Sequence, residues 1–139
     1  SEYQSLEKRI QELQLEDKVK LAGFINQKEI RQYYSIADLL VLPSNLETFG
    51  LVINEAMNAS TAIISSDKVG AASDLVFDDL NGFTFQSDNL ESLTDALKKA
   101  LFSKQKLRDM CNQSLKIIDR WNYEENVKGI IAALKSLNV

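Results

Sequence analysis

The 139-residue chain carries 16 Lys and Arg against 20 Asp and Glu, a net charge of −4, with 45% hydrophobic residues. This is one domain's length with chain enough for a core. It has no basic surplus for nucleic acid, and no apolar run approaches the roughly 20 residues a bilayer span needs. Histidine is absent and cysteine occurs once, at Cys111, so the commonest general base and metal ligand are missing, no intrachain disulfide can form, and a reducing, cytoplasmic compartment fits.

The N-terminus is polar and reads as helix rather than signal peptide. Tyr3, Leu6, Ile10 and Leu13 recur at spacings of three and four, which predicts an amphipathic helix over 3–14. Val19 to Phe24 reads as a short strand. Asn26 with Glu29 is a capping-box pattern opening a helix that runs to about Ile36. Asp38 to Leu42 is a nearly continuous apolar run, expected as a strand covered on both faces and ended by Pro43. A helix is expected over 50–59, a buried strand over Ala62–Ser65, and a turn at Asn81-Gly82 before a last strand, Phe83–Phe85. Asp88 with Glu91 predicts a second capping box, opening a helix with Leu90, Leu93, Leu97 and Leu101. Further helices follow from about Lys104 to Asp119, around a packed Cys111, and from the Asn122–Glu125 cap to about Leu137. Strands alternating with helices define βαβ units, hence an α/β fold: a Rossmann-like parallel sheet with helices on both faces. Ligands of such sheets bind beyond the carboxyl ends of the strands, which directs attention to the loops after Phe24, Leu42 and Ser65.

The segment Pro43-Ser-Asn-Leu-Glu-Thr-Phe-Gly-Leu-Val-Ile-Asn-Glu-Ala-Met57 follows a strand end and opens a helix. The N–H groups of Phe49, Gly50, Leu51 and Val52 are expected to point, unpaired, out of a terminus suited to phosphate. Glu47 lies in the loop before it, and Glu55 about a turn and a half into the helix. Glu55 stands among Leu51, Val52, Ile53, Ala56, Met57 and Ala59, so it is expected to be buried, and a buried carboxylate is costly unless paired. Either it pairs with a local lysine or caps backbone, or it accepts the two hydroxyls of a ribose diol. Glu47 is either a solvated loop glutamate or a group that accepts sugar hydroxyls beside a diphosphate. Lys98, Lys99, Lys104, Lys106 and Arg108 read as solvated helix faces, Asp78-Asp79 as a turn, and Trp121 and Tyr123 as packing residues.

Taken together, these segments resemble the C-terminal, donor-binding domain of the retaining family 4 glycosyltransferases of GT-B fold. Two glutamates separated by seven residues, Glu47 and Glu55, are preceded by Ala37-Asp-Leu-Leu-Val-Leu-Pro-Ser44 and followed by Ala56-Met57. Val19-Lys-Leu-Ala-Gly-Phe-Ile25, Val69-Gly-Ala-Ala-Ser-Asp-Leu-Val76 and Asn81-Gly-Phe83 fall in the same order. The resemblance covers essentially the whole chain. It departs at Ser60, where a helix-ending glycine is usual, at Ala62 for a proline, at Ala71 for a glycine and at Asp74 for a glutamate.

The resemblance implies a single domain over 1–139 that binds a nucleotide-diphosphate sugar, UDP- or GDP-linked, for hexosyl transfer with retention. Glu47 would be the catalytic-site carboxylate on the transferred sugar. Backbone groups of Thr48, Phe49, Gly50 and Leu51 would meet sugar and diphosphate, and Glu55 the ribose. Gly23, Phe24 and Ile25 would touch the base, with Pro43 and Ser44 close by; Phe24 reads equally as core or as a stacking platform. No metal and no cofactor is implied. The same resemblance places two further strands, an Arg/Lys pair for the diphosphate and an acceptor-binding domain ahead of residue 1. It therefore implies a glycan or lipid acceptor, peripheral contact with the inner membrane face in the full-length protein, and an inactive chain when alone. The competing readings are a non-catalytic module binding nucleotide or protein, and a nucleotide-sugar epimerase.

Overall fold

The structure, a computed structural model, describes residues 1–137. The chain divides into two compact units, residues 1–30 and the remainder from Arg31.

The first unit holds α1 (Glu2–Glu12) and opens α2 (Gln27–Ile36). α1 ends in a Schellman motif: Leu15 N–H reaches the Ile10 carbonyl at 3.0 Å and Gln14 N–H the Gln11 carbonyl at 3.0 Å, with Gln14 at φ 54°. The strand expected over Val19–Phe24 is absent; the segment is coil. An apolar pattern becomes a strand only where its backbone finds a ladder, and no strand among the described residues pairs with it. Asn26 caps α2 as its sequence predicts, its Oδ1 accepting from Lys28 N–H at 3.0 Å and Glu29 N–H at 3.1 Å.

The second unit is built on β1 (Leu39–Leu42), β2 (Ala62–Ser66) and β3 (Gly82–Phe85), a parallel sheet in the order β1-β2-β3. Between and after the strands come α3 (Leu51–Asn58), α4 (Ala72–Leu75), α5 (Leu90–Ala100), α6 (Lys104–Ile118) and α7 (Tyr123–Ser136). β2 is central and buried along its whole length, as expected of a strand in a sheet covered on both faces. Ile63 points to one face, where Ile53, Ala56 and Met57 of α3 and Ala72 and Leu75 of α4 pack. Its neighbours Ala62 and Ile64 point to the other, against Phe83, Phe85, Ala96, Ala100 and Met110. Helices thus cover both faces. β1 is only half-buried, because it is an edge of this sheet. Truncating a side chain such as Ile53 or Met57 to alanine would cost about 2–5 kcal/mol.

α6 serves both cores, with Met110 and Cys111 in one and Ile118 in the other. It also seals the amino ends of the strands. The Cys111 thiol donates to the Asp38 carbonyl at 3.2 Å, and Ser60 Oγ donates to the Cys111 carbonyl at 3.1 Å. Burial raises the pKa of Cys111, and nearby Asp38 adds to it, while backbone hydrogen bonds oppose both. The packed-thiol reading of Cys111 therefore holds. Ser60 takes the left-handed conformation, φ 60°, that a glycine adopts without strain. It closes α3 in a Schellman motif, Thr61 N–H to Ala56 carbonyl at 3.1 Å and Ser60 N–H to Met57 carbonyl at 3.0 Å.

Three further expectations are corrected. α5 is capped by Asn89, whose side chain accepts from Ser92 N–H at 2.9 Å, one residue past the Asp88–Glu91 box; Asp88 has φ 57°, so it turns the chain instead. Lys106 is not simply solvated, since its ammonium lies 2.8 Å from Asp79 Oδ1 and 5.2 Å from the Phe83 ring centre. Trp121 and Tyr123 are exposed rather than packed. Asn122 caps α7 at Glu125 N–H, 3.0 Å away, as its sequence predicts, and Asp78 makes a turn by accepting from the Thr84 amide and hydroxyl at 2.8 and 3.2 Å.

Candidate functional site: the carboxyl edge of the sheet

The loops leaving β1, β2 and β3 are stitched together by polar side chains. Ser66 Oγ donates to the Ser44 carbonyl. Ser87 Oγ donates to Asn45 Oδ1 at 3.1 Å, and Ser87 N–H to Asp67 Oδ1 at 2.9 Å. The loop carrying Glu47 is strapped to the 68–71 segment like a short parallel ladder. Glu47 N–H donates to the Lys68 carbonyl at 3.1 Å, Gly70 N–H to the Glu47 carbonyl at 2.9 Å, and Ala71 N–H to the Phe49 carbonyl at 3.0 Å. Gly70 is required by this approach, because a Cβ there would lie 2.1 Å from the Thr48 carbonyl oxygen. Gly50 precedes α3 with φ 75°, and a Cβ on it would meet Val69 Cγ1 at 2.5 Å. What crowds Gly50 is thus the protein's own Val69.

The strap aims Glu47 at the amino terminus of α3. Its Oε1 accepts from Phe49 N–H at 3.2 Å and Gly50 N–H at 3.1 Å. Of the four amides expected to be unpaired, those two are therefore occupied. Leu51 and Val52 N–H have no partner among the described residues. A carboxylate at this terminus is favoured by the helix dipole by about 0.3–1 kcal/mol. Glu47 also lines a cavity of about 570 Å³ with Thr48, Asp67, Lys68, Gly70 and Ser73.

Glu55 departs from expectation. It is exposed, because α3 buries only the stripe Ile53, Ala56 and Met57 and leaves the rest of its surface open. Leu51, counted in the apolar surround, is itself 70% exposed. The Glu55 partner is neither a lysine nor a backbone amide but Tyr34, whose hydroxyl donates to Glu55 Oε2 at 3.2 Å. Burial raises the pKa of Tyr34, with the Glu55 charge adding to it, so the phenol remains a donor throughout the neutral range. No salt bridge involves Glu47 or Glu55 among the described residues.

The structure thus gathers Thr48, Phe49, Gly50 and Leu51 around Glu47 at one helix terminus, with Ser44 tethered at the end of β1 behind exposed Pro43. Glu55 follows along α3 and does not line the Glu47 cavity. Gly23, Phe24 and Ile25 lie in the first unit. Gly23 has φ 65°, and Phe24 is 96% exposed, which rules out its reading as core. The strap residue Lys68, the stitching residues Ser66, Asp67 and Ser87, and Tyr34 carry no sequence signal of their own, and Ala71 stands out only as a departure from a usual glycine. They are recognisable only once the loops are placed side by side.

This architecture is a Rossmann-like α/β domain, and its neighbours among solved structures are glycosyltransferases of GT-B fold. Residues 1–117 match the family described as glycosyl transferases group 1, and the chain belongs to that family. Among its relatives, an uncharacterised glycosyltransferase of Methanocaldococcus jannaschii is 32% identical over 96 residues, 69% of this chain and 24% of that protein. An alpha-D-kanosaminyltransferase of Streptomyces kanamyceticus is 31% identical over 96 residues, 69% of this chain and 25% of that protein. The Anabaena protein HepE, in complex with UDP, superposes with a TM-score of 0.78 at 27% identity, over 96% of this chain and 36% of that one. The chain spans about a quarter of the length of the curated relatives it matches. No helix among the described residues is long and apolar enough to cross a membrane.

Proposed function

We propose that this chain is the donor-binding part of a family 4 glycosyltransferase that transfers a hexosyl group from a UDP- or GDP-sugar with retention of configuration. The observation that carries the reading is the terminus of α3, where a tethered carboxylate, Glu47, sits beside two unpaired amides, Leu51 and Val52. Glu47 Oε2 would accept hydroxyls of the transferred sugar. The two amides would receive phosphate oxygens and stabilise the leaving diphosphate through donors already in place. Glu55 would accept the ribose hydroxyls. Pro43 and Ser44 are the proposed surroundings of the base, and no cofactor takes part. Binding energy at the nucleotide would hold the anomeric carbon near Glu47. Support comes from the UDP held by HepE at 27% identity and from the fold. The acceptor, a glycan or lipid, would be held by the rest of the protein, working at the cytoplasmic membrane face.

The test is calorimetric titration of the full-length protein with UDP- and GDP-sugars, beside Glu55→Ala. Binding that the substitution weakens strongly but leaves measurable is the expected result. Absence of binding to either nucleotide would instead leave a module without donor chemistry.

A further inference from the structure

Glu55 is exposed and has three rotatable bonds, yet one of its oxygens is fixed by a group from another helix. That group, Tyr34, is held by its own surroundings. It packs, half-buried, against the core cluster that includes Ile53, Met57 and Ile63. Its carbonyl is bound by the hydroxyl of fully buried Thr61 at 3.3 Å, a hydroxyl that also lies 3.3 Å from the Ala37 carbonyl. With ring and backbone both anchored, the phenol presents its single donor at one point, and Glu55 Oε2 meets it at 3.2 Å. Glu55 Oε1 has no partner among the described residues. A carboxylate held by one oxygen keeps the lone pairs of the other, and those left on the first, aimed in one direction. Two adjacent ligand hydroxyls can then be accepted without first ordering a mobile side chain.

We infer that Tyr34 is a positioning residue: it orients the Glu55 carboxylate for a vicinal diol and thereby strengthens discrimination of a ribonucleotide donor from its deoxyribose counterpart. This deepens the donor-binding reading and rests on it. Tyr34 itself touches no reacting atom. A freely rotating carboxylate would follow whichever hydroxyl remains, whereas an oriented one loses an acceptor contact it cannot replace. Ribose selectivity therefore resides in the pair Tyr34–Glu55 rather than in Glu55 alone.

The test uses the full-length protein, with UDP and GDP as probes and the corresponding deoxyribose diphosphates beside them. Tyr34→Phe keeps the ring and its packing and removes only the donor. It is expected to weaken the preferred nucleotide about 5- to 10-fold, the scale of one charge-assisted hydrogen bond less the freedom regained by a glutamate. It should also narrow the ribose-to-deoxyribose ratio and, in turnover, raise the donor KM while leaving kcat nearly unchanged. In a Glu55→Ala background the same substitution should add no further loss, which separates positioning from a general effect on the fold. Wild-type affinity with an intact ribose preference in Tyr34→Phe overturns the inference, as does an equal loss in the two backgrounds. A wild-type protein that binds neither UDP nor GDP, or a Glu55→Ala variant that binds as wild type, removes the donor reading itself, and the inference goes with it.

Discussion

Adding one methyl group at Gly70 separates the role of the strap from that of the scaffold. The new Cβ would stand 2.1 Å from the Thr48 carbonyl oxygen and 3.0 Å from its carbon. Both are backbone atoms that no rotamer change can move aside, so the segments must part by about an ångström. Three hydrogen bonds cross the gap, at 3.1, 2.9 and 3.0 Å. Losing one or two at about 0.5–1.5 kcal/mol each, with the strain of an overpacked site, comes to about 2–4 kcal/mol. A domain with about 5–15 kcal/mol of stability survives that. The control is Gly82→Ala, whose Cβ would lie 1.7 Å from the Ile63 carbonyl oxygen. That clash is at least as severe, but it falls at the amino end of β3, the edge opposite the loops. Urea denaturation should show both variants destabilised. Titration with UDP and GDP at temperatures where both are folded should show only Gly70→Ala weakened, roughly ten- to a hundredfold, because a displacement of that size at a positioned group costs this much. A folded Gly70→Ala protein with wild-type nucleotide affinity would refute the claim that the strap sets the terminus, and equal weakening in Gly82→Ala would refute the division between the two edges.

Cys111 should resist alkylation by iodoacetamide at pH 8, reacting about tenfold or more below a free thiol, since only the thiolate attacks and burial disfavours it; rapid labelling in native buffer, followed by mass spectrometry, would contradict the packing described. Asn89→Ala should lower global stability by about 1 kcal/mol, because the α5 it caps buries Ala96 and Ala100. Asn122→Ala should instead appear as local fraying in hydrogen exchange with little change in melting temperature, because α7 buries no residue. Tyr34 has a folded pKa raised above its ordinary 10.0. Its contribution to stability is therefore full below pH 10.0 and is lost as pH rises through the raised value, since the unfolded chain releases that proton first. The urea midpoint of wild type minus that of Tyr34→Phe should be flat to about pH 9 and fall above 10; a difference that grows with pH would reverse the sign.

The periodic segments were legible because their burial is set locally. β2 opens on the apolar run Ala62–Ile64 and is buried throughout, Ser65 and Ser66 included, and the helices from Leu51, Lys104 and Tyr123 begin within a residue of their sequence signals. Val19–Phe24 was misread because a strand is a property of two segments, and its pattern says nothing of a partner. Asp88 was misread because two adjacent residues can each cap, and the choice depends on which takes positive φ. At the site, the run from Glu47 to Leu51 was legible as a helix entrance, but occupancy of its amides was not, since nothing in the sequence fixes the Glu47 rotamer. Glu55 was misjudged by counting apolar neighbours in sequence; an eight-residue helix against a sheet hides only one stripe. Its partner Tyr34 is 21 residues away, a distance at which side-chain pairing has no sequence signature.

The occupancy of the α3 terminus sharpens what Glu47 can do. A carboxylate bound to Phe49 and Gly50 N–H offsets part of the positive end of the helix dipole and repels a diphosphate brought to the same place. Were Glu47 a phosphate-site element, removing it would weaken UDP; were it a sugar-hydroxyl acceptor, removal would free two amides and a unit of negative charge. The proposed function takes the second. Glu47→Ala should cost about 1 kcal/mol of stability for the lost hydrogen bonds, leave UDP affinity unchanged or several-fold tighter, and abolish any extra affinity of a UDP-sugar over UDP. Glu47→Gln, which keeps an oxygen for the two amides, should retain the stability and lose the sugar increment only in part. Calorimetry with UDP and UDP-sugar on the same variants decides it, with GDP and GDP-sugar in parallel. A Glu47→Ala protein that is folded yet binds UDP tenfold more weakly would mean that the carboxylate holds the loop in shape for the phosphates, and that the sugar is read elsewhere.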